Sequence, residues 1–244
     1  MNVVLVTGAS SGIGAAISIA FVEAGWSVMA AGRNERRLEE VADISDNIST
    51  WAGDLEESGD CEELVAESID EFGQINCLVN AAGVLIPGNA EELSDDDWRD
   101  TLNINLDVPF FLSRAALPEL IKSEGNIVNI ASVWGLEGGQ RALAYCASKG
   151  GLIQLTRAMA LDHAGDGLRV NAICPGGVDT PMLAGRAEDL DKDVDDFLEE
   201  LADHSPNGRI ASPEEIAALV LFLASDAARH ITGTAIPIDG GLTA

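Results

Sequence analysis

The stretch Val3-Val4-Leu5-Val6-Thr7-Gly8-Ala9-Ser10-Ser11-Gly12-Ile13-Gly14 joins an apolar run to a glycine-rich turn, and an apolar segment of helical character, Ala15 to Ala24, follows at once. Glycines let the backbone turn sharply and approach a ligand closely, and the free N–H groups at a helix N-terminus favour a pyrophosphate. The turn therefore predicts a βα unit that binds a dinucleotide. Its Gly-x3-Gly-x-Gly spacing differs from GxGxxG, so a turn without a nucleotide stays an alternative. The predicted contacts are Gly8, Ser10, Ser11, Gly12, Ile13 and Gly14.

Short β-branched apolar runs alternate with helix-period segments along the rest of the chain. This alternation is typical of a parallel sheet covered on both faces. We predict an α/β fold, a doubly wound (Rossmann) seven-stranded parallel sheet with helices on both faces. The predicted strands are Val3 to Val6, Ser27 to Ala31, Ile48 to Ala52, Asn76 to Asn80, Asn126 to Ala131, Arg169 to Cys174 and Ala235 to Ile238. Capping-box patterns predict helix starts at Ser94, with Asp97, and at Ser212, with Pro213 and Glu215.

The chain has 244 residues, 47% of them hydrophobic, which suits one domain spanning residues 1–244. The one shift in composition is the segment Glu188 to Asp203, which carries nine acidic residues and one lysine and precedes Pro206-Asn207-Gly208. A solvated excursion and a substrate-covering loop, around residues 182–210, are equally compatible with that composition.

No basic leader region precedes Val3 and no apolar stretch is long enough to span a membrane, so we expect a cytoplasmic protein without membrane contact. The four cysteines show neither CxxC nor Cys/His spacing, which predicts reduced, packed thiols and no metal site.

The charge balance is strongly acidic, with 41 Asp and Glu against 14 Lys and Arg and a formal net charge of −27. A charge of this sign disfavours nucleic-acid binding. It fits either a halophilic protein, whose self-repulsion is screened within about 3 Å at 1 M salt, or an acidic tail that binds a partner or cations. Because the acids are spread over the predicted helices rather than gathered at one end, the sequence favours adaptation to high salt.

Tyr145 and Lys149 are four residues apart at the start of a helix-like segment, Tyr145-Cys146-Ala147-Ser148-Lys149. At that spacing both side chains lie on one face of a helix. A nearby cation favours the phenolate and lowers the phenol pKa from its usual value of about 10. The pair therefore predicts an acid–base group, although an ordinary exposed Tyr/Lys pair has the same spacing.

Ser132 and Asn105 are further candidates. Ser132 follows the predicted strand Asn126 to Ala131, so its hydroxyl would lie at the carboxyl edge of the sheet, where ligands bind in such folds. Asn105 lies in a predicted helix, Asp97 to Ile121, four residues before Pro109, which removes an N–H and clashes with the Asn105 carbonyl. We predict a local break that frees this carbonyl for water; the alternative is a packed asparagine bonded to its own helix.

Together these motifs resemble the short-chain dehydrogenase/reductase family over nearly the whole chain. The matching motifs are Thr7-Gly8-x3-Gly12-x-Gly14, Asn80-Ala81-Ala82-Gly83, Asn105, Ser132, Tyr145-x3-Lys149 and Pro175-Gly176-Gly177-Val178-x-Thr180-Pro181. The resemblance implies strand order 3-2-1-4-5-6-7 and hydride transfer between a nicotinamide cofactor and an alcohol or carbonyl carbon. It reaches 3-oxoacyl carrier-protein reductases and polyol and sugar dehydrogenases alike. It also implies a homotetramer formed through two long helices and the segment Ile238 to Ala244.

The resemblance assigns Tyr145 as the acid or base for a small-molecule alcohol or ketone, Ser132 as the group that holds the substrate oxygen, and Lys149 with Asn105 as a water-linked proton path. The remaining cofactor contacts that it implies are Asp54, Leu55, Asn80, Ala81, Gly83, Tyr145, Lys149, Pro175, Gly176, Val178 and Thr180. Asp54 could instead cap the next helix. A dinucleotide-binding regulator that does no chemistry stays an alternative, which the intact Ser132, Tyr145 and Lys149 disfavour.

Cofactor choice depends on the end of the second strand, where a carboxylate binds the ribose hydroxyls of NAD and an arginine accommodates the 2′-phosphate of NADP. The strand runs into Arg33-Asn34-Glu35-Arg36-Arg37 with no acid at its tip. NADP(H) is favoured and NAD(H) stays possible, because Ser11 stands where many NADP-dependent relatives carry a basic residue and the arginines could pair with Glu39 and Glu40.

The substrate itself is not predicted. Residues near the motifs suggest a mixed apolar pocket with little formal charge, lined by Leu85, Trp134, Leu136, Gln140 and Met182.

Overall fold

A computed structural model describes all 244 residues. Seven parallel strands form one sheet in the order β3-β2-β1-β4-β5-β6-β7, which confirms the predicted fold and strand order. The strands are β1 (Val3–Thr7), β2 (Ser27–Gly32), β3 (Ile48–Ala52), β4 (Cys77–Asn80), β5 (Asn126–Ile130), β6 (Arg169–Pro175) and β7 (Ala235–Ile238).

Nine α-helices cover the sheet. They are α1 (Gly12–Glu23), α2 (Glu35–Ala42), α3 (Ser58–Phe72), α4 (Asp95–Leu102), α5 (Val108–Lys122), α6 (Leu143–His163), α7 (Pro181–Asp189), α8 (Val194–His204) and α9 (Pro213–Ala224). None of them is long and apolar enough to cross a membrane.

The core has one layer on each face of the sheet, because successive strand residues point to opposite faces. In β1, Val4 and Val6 pack into the layer that contains α1 and α9, whereas Leu5 packs into the layer that contains α3 and α5. All five residues of β1 are buried. Burial on both faces explains why the central strands read as continuous apolar runs rather than alternating ones.

The predicted helix from Asp97 to Ile121 is interrupted, as expected, at Asn105. Helix α4 passes into a π-helical segment, Asn103–Asp107, and then into α5. In that segment the Val108 N–H donates to the carbonyl of Asn103, five residues earlier. Pro109, which has no N–H to donate to the Asn105 carbonyl, gives the physical reason for this change of register.

Both predicted capping boxes are present. The Ser94 hydroxyl accepts from the Asp97 N–H at 3.1 Å, and the Glu215 carboxylate accepts from the Ser212 N–H at 3.0 Å. Asp54, by contrast, caps no helix, because α3 begins with a capping box between Glu57 and Asp60. The interpretation of Asp54 as a cap is therefore wrong.

The acidic segment Glu188 to Asp203 is largely helical. It contains the end of α7, a short turn and most of α8, and Phe197 anchors α8 with only 7% of its surface exposed. The acids of α8 lie on its outer face, where Asp195, Asp196 and Glu199 are exposed. Whether this helical pair forms a substrate lid stays a prediction.

Candidate active site

A cleft of about 520 Å³ opens at the carboxyl ends of β1 to β4, where the strand order reverses between β1 and β4. Ligands bind at this position in doubly wound sheets. Twelve of the predicted cofactor contacts line it: Gly8, Ser10, Ser11, Gly12, Ile13, Gly14, Arg33, Asp54, Leu55, Ala81, Gly83 and Thr180.

The glycine turn, Gly8 to Gly14, allows a ligand to approach the backbone closely. Gly8 has a φ of +67°, and a Cβ there would lie 2.9 Å from the Ala81 carbonyl oxygen; a Cβ at Gly14 would lie 2.3 Å from the carbonyl oxygen of Gly8. Neither position accepts a side chain. Ser11, the residue before α1, makes no side-chain capping bond, so the first N–H groups of α1 are free to bind an anion at the cleft.

The loop after β4 is fixed to the same turn. The Thr7 hydroxyl accepts from the N–H groups of Ala81 and Ala82, both at 3.2 Å. The two walls of the cleft therefore form one rigid unit at the ends of β1 and β4.

Six predicted cofactor contacts are not among the residues that line the cleft: Asn80, Tyr145, Lys149, Pro175, Gly176 and Val178. Asn80 is 2% exposed, and its amide nitrogen donates to Asn129 at 2.8 Å, while Asn129 donates to Thr156 at 2.8 Å. This chain of hydrogen bonds links β4, β5 and α6 behind the cleft. Contact of these six residues with a cofactor stays a prediction.

The three arginines after β2 do not act together. Arg33 and Arg37 line the cleft with Asn34, whereas Arg36 is not part of the lining and pairs with Glu40 at 2.8 Å. The predicted three-arginine spot is thus reduced to two, and the alternative of helix-surface pairing holds for Arg36. Arg33 also lies 3.9 Å from the Asp54 carboxylate across the cleft.

Tyr145 and Lys149 lie in the first two turns of α6, and both are buried, with 8% and 4% of their surface exposed. The alternative of an ordinary exposed pair is therefore wrong. The Lys149 ammonium donates to the Ile130 carbonyl at 2.8 Å and lies 5.6 Å from the centre of the Tyr145 ring.

Burial dominates the electrostatics of this pair. It raises the pKa of Tyr145 to about 12, which the nearby Ser132 hydroxyl partly offsets. It lowers the pKa of Lys149 to about 8. The prediction that Lys149 lowers the pKa of Tyr145 below its usual value is not met, because burial, the largest effect, disfavours the phenolate and the Lys149 ammonium is bonded to a backbone carbonyl.

Ser132 follows β5 and is 8% exposed. Its hydroxyl accepts from the N–H of Trp134 at 3.1 Å, and the Trp134 ring packs edge-on against Tyr145 with 6.1 Å between ring centres. A predicted pocket residue therefore holds the Tyr145 ring. Met182 lines the cleft, whereas a lining role for Leu85, Leu136 and Gln140 stays a prediction.

Asn105 is fully buried and links two elements of the site. Its side-chain oxygen accepts from the Val84 N–H at 2.9 Å, and its amide nitrogen donates to the Val84 carbonyl at 2.9 Å and to the Ser148 hydroxyl at 3.1 Å. The alternative of a bond to its own helix is therefore wrong. A Cβ at Gly83 would lie 3.3 Å from the Asn105 oxygen and 3.4 Å from the Lys149 nitrogen, so both groups converge behind this cleft-lining glycine.

Apart from Arg37 of the predicted arginine run, several cleft residues are not among the predicted contacts: Gly32, Asn34, Gly53, Ala82, Val84, Ile104, Val108 and Pro181. Gly32 and Gly53 follow predicted strands directly, so the rule that ligands bind at carboxyl strand ends could have found them. Ile104 lies within the π-helical turn and Val108 directly follows it, and their i, i+4 spacing around Asn105 was the available signal.

Comparison with known proteins is consistent with this geometry. Residues 8–243 match a family model described as enoyl-(acyl carrier protein) reductase. The chain is 41% identical to meso-2,3-butanediol dehydrogenase of Serratia marcescens, covering 100% of this chain and 95% of that protein. It is 34% identical to a 3-oxoacyl-(acyl-carrier-protein) reductase of Thermotoga maritima, covering 99% of this chain and 97% of that protein.

A solved structure is similar over the same length. A variant of actinorhodin polyketide ketoreductase, determined with NADPH, superposes with a TM-score of 0.95 at 33% identity, covering 99% of this chain and 97% of that chain. The likeness therefore extends over the whole fold and includes the cleft.

Proposed function

Because this chain belongs to the short-chain dehydrogenase/reductase family and is an oxidoreductase acting on CH–OH groups with a nicotinamide cofactor, we propose that Tyr145 is its acid–base group. The observation that carries this proposal is the convergence of buried residues behind Gly83. Tyr145 and Lys149 lie side by side on α6, and the Lys149 ammonium approaches the cleft wall at Gly83 together with Asn105.

The residues of the cleft fit a dinucleotide. Its volume of about 520 Å³ is within the range of small-molecule sites, and the glycine turn leaves no room for side chains where a pyrophosphate would approach the N–H groups of α1. When bound, the nicotinamide supplies the hydride chemistry that amino-acid side chains lack.

The chain's own residues move the proton. During oxidation, the Tyr145 oxygen accepts the proton of the substrate hydroxyl, while Ser132 holds the substrate oxygen by a hydrogen bond. During reduction, Tyr145 donates the proton to the substrate oxygen. Lys149 favours the phenolate electrostatically when the proton has left. We propose that Asn105, fixed by Val84 and Ser148, orders water that returns the proton through Lys149.

Substitution of Tyr145 by Phe tests the assignment. Because the phenol oxygen is the proton carrier, turnover should fall by about 10² to 10⁴, while the dissociation constant of the cofactor should stay within about twofold. Turnover is followed by nicotinamide absorbance on a panel of secondary alcohols and ketones in molar salt, and binding by calorimetry.

Retention of turnover in Tyr145→Phe would contradict the role of Tyr145. A wild-type protein that binds the cofactor but reduces or oxidises no member of the panel would instead support the non-catalytic regulator.

We further propose that NADP(H) is preferred over NAD(H). Arg33 and Arg37 line the cleft beside Asn34, and no carboxylate follows β2 at its tip. A guanidinium there can bind a 2′-phosphate through charge-assisted hydrogen bonds. Asp54, 3.9 Å from Arg33, is a competing partner for one of the two cations, so the preference is expected to be modest.

The preference is tested with Arg33→Ala and, as the matched control, Arg36→Ala. Loss of one charge-assisted hydrogen bond should lower kcat/KM for NADP by about tenfold and leave kcat/KM for NAD unchanged, whereas Arg36, paired with Glu40, should have no effect on either. A wild-type enzyme with equal efficiency for both cofactors, or a preference for NAD, would refute the proposal.

We also propose that the protein is a halophilic homotetramer of the cytoplasm that acts on a small secondary alcohol or ketone. The support is the net charge of −27 together with apolar side chains exposed on the long helices, Phe110 on α5 with 40% of its surface exposed and Leu161 on α6 with 82%.

A further inference from the structure

Arg186, on helix α7, is buried, and one nitrogen of its guanidinium has no hydrogen-bond acceptor. Only 9% of its surface is exposed, and its Nη1 is buried with no hydrogen-bond partner. None of the ion pairs in the molecule includes it, although Asp189 lies three residues further along the same helix. The buried cation Lys149, by contrast, has the Ile130 carbonyl as its acceptor.

An unpaired buried charge is costly, because it loses water without gaining a partner. Burial lowers the pKa of Arg186, an effect that Asp189 opposes and Arg141 reinforces. Arg141 cannot supply an acceptor and is itself paired with Glu92 at 2.7 Å. Arg186 therefore forms no ion pair, and Asp189 offsets only part of the cost of its burial, in a chain whose net charge is −27.

The position of Arg186 connects this charge to the site. The start of α7 lines the cleft through Pro181 and Met182, and Arg186 lies one turn after Met182 on the same helix face. Arg141, the neighbouring cation, precedes Tyr145 by four residues in a segment fixed by a hydrogen bond from the Gly88 N–H to the Arg141 carbonyl, at 3.0 Å. Arg186 thus belongs to the helix whose first turn lines the cleft, and its charge interacts with that of Arg141, in the segment that leads into Tyr145.

We propose that Arg186 binds a carboxylate carried by the substrate, so that the enzyme acts on hydroxy acids and the corresponding keto acids. This proposal rests on the proposed function and adds the substrate class to it. The planar guanidinium matches a carboxylate through two parallel hydrogen bonds. A carboxylate suits the site better than a phosphate dianion, because Glu92 neutralises Arg141 and a single positive charge is left over.

The first test compares isosteric substrates. Each of a series of 2-, 3- and 4-hydroxy acids is assayed against its neutral amide, with the corresponding hydroxyalkyl phosphate as a third arm. For the wild-type enzyme we expect a kcat/KM at least about tenfold higher for the best acid than for its amide, expressed mainly in KM. Arg186→Met should reduce this ratio to about one, Arg186→Lys should retain part of it, and the exposed control Arg229→Met should leave it unchanged.

The second test needs no turnover. In the enzyme–cofactor complex, butyrate but not butyramide should raise the Tm of the wild type, and Arg186→Met should abolish that shift. Because the substitution removes an unpaired buried charge, the same variant should have a higher Tm than the wild type without ligand. If Arg186 had only a structural role, Arg186→Met would have a lower Tm than the wild type.

The outcomes separate the two proposals. A butyrate shift that depends on Arg186, without turnover of any alcohol or ketone, would refute the enzymatic proposal and leave the carboxylate site standing. The carboxylate site is refuted by an acid-to-amide ratio that Arg186→Met leaves unchanged, by equal loss of acid and amide turnover with a lowered Tm, by absence of any butyrate shift, or by an about tenfold preference for the phosphate.

Discussion

At the scale of single residues, the site contains a buried charge, the Lys149 ammonium, that lowers the stability of the folded protein. Lys149 is 4% exposed and has the Ile130 carbonyl, an uncharged acceptor, as its one direct hydrogen-bond partner. Its pKa is about 8 in the folded protein, against 10.5 for the unperturbed side chain. The charged form is therefore less favourable in the folded than in the unfolded chain, and the protein gives up stability to hold a cation beside Tyr145.

Lys149→Met should consequently be more stable than the wild type at pH 7 while losing activity. The pKa difference corresponds to about 3 kcal/mol, and leaving the Ile130 carbonyl without a donor costs about 1 to 2 kcal/mol, so we expect a net gain of about 1 to 2 kcal/mol. Below pH 8 the penalty on the wild type is present in full, and it disappears as pH rises from 8 towards 10.5, because the unfolded state binds more protons in that range.

Urea unfolding of both proteins at pH 7 and pH 10.5 measures this. The variant should be the more stable protein at the lower pH and the less stable one at the higher pH. A difference in the free energy of unfolding that is the same at both pH values would show that burial does not penalise the Lys149 charge.

The sequence could predict which residues meet at this scale but not their energies. The i, i+4 spacing of Tyr145 and Lys149 is a local property of a helix. The direction of the Tyr145 pKa depends instead on how completely other elements bury it and on the carbonyl of Ile130, which competes for the ammonium. Arg186 was missed for the same reason, since its burial and lack of an acceptor depend on packing of α7 that no local pattern encodes.

At the scale of elements, the π-helical turn Asn103–Asp107 positions the site. Pro109 has no N–H to donate to the Asn105 carbonyl. The Val108 N–H donates instead to the carbonyl of Asn103, five residues earlier, so this turn contains one residue more than an α-helical turn. The same turn brings Ile104 and Val108 into the cleft lining and places the Asn105 side chain between Val84 and Ser148. Rare π-helical turns recur at functional sites because they reorient side chains within a helix.

Pro109→Ala tests whether this turn matters, since it restores the missing donor and permits α-helical register. We expect the Asn105 side chain to lose its place and kcat to fall by about tenfold, with cofactor binding preserved. Pro118→Ala, a substitution of the second proline in α5, is the matched control and should leave kcat within about twofold. Loss of kcat in both variants, or in neither, would mean that the break at Asn105 is not what positions the proton path.

Elements with strong local signals were predicted well. The predicted strand ends agree with the observed ones to within one residue, because buried parallel strands are marked by apolar runs and by the turns after them. No helix was predicted for the acidic segment, although Val194, Phe197, Leu198 and Leu201 recur at helical spacing in α8. The apolar residues of this segment follow the period of an amphipathic helix, a signal that its high content of acidic residues masks.

At the scale of the whole molecule, charge and apolar exposure oppose each other. The acidic residues lie on outer helix faces, including Glu62, Glu63 and Glu67 on α3 and Asp95 and Asp96 on α4. Few of them are paired, since 14 basic residues face 41 acids. Apolar side chains on α5 and α6 are exposed nearby, which favours association once repulsion is screened.

Stability and assembly should therefore depend steeply on salt. The screening length grows from about 3 Å at 1 M to about 30 Å at 0.01 M, so repulsion among surface acids extends across a whole helix face and between subunits at low salt. We expect the Tm to fall by more than about 10 °C between 2 M and 0.02 M KCl, and light scattering to show a tetramer that dissociates as the salt falls.

Two controls separate the screening of charge repulsion from the other effects of salt on stability. Sucrose at matched osmolality strengthens burial without screening, so it should not replace KCl. Neutralising five exposed acids of α8, Asp195, Asp196, Glu199, Glu200 and Asp203, by Asn or Gln should flatten the dependence of Tm on salt. A Tm that does not change with salt would contradict the proposal that the acidic surface adapts the protein to high salt. A monomer in molar salt would contradict the proposal that the exposed apolar side chains of α5 and α6 form subunit contacts.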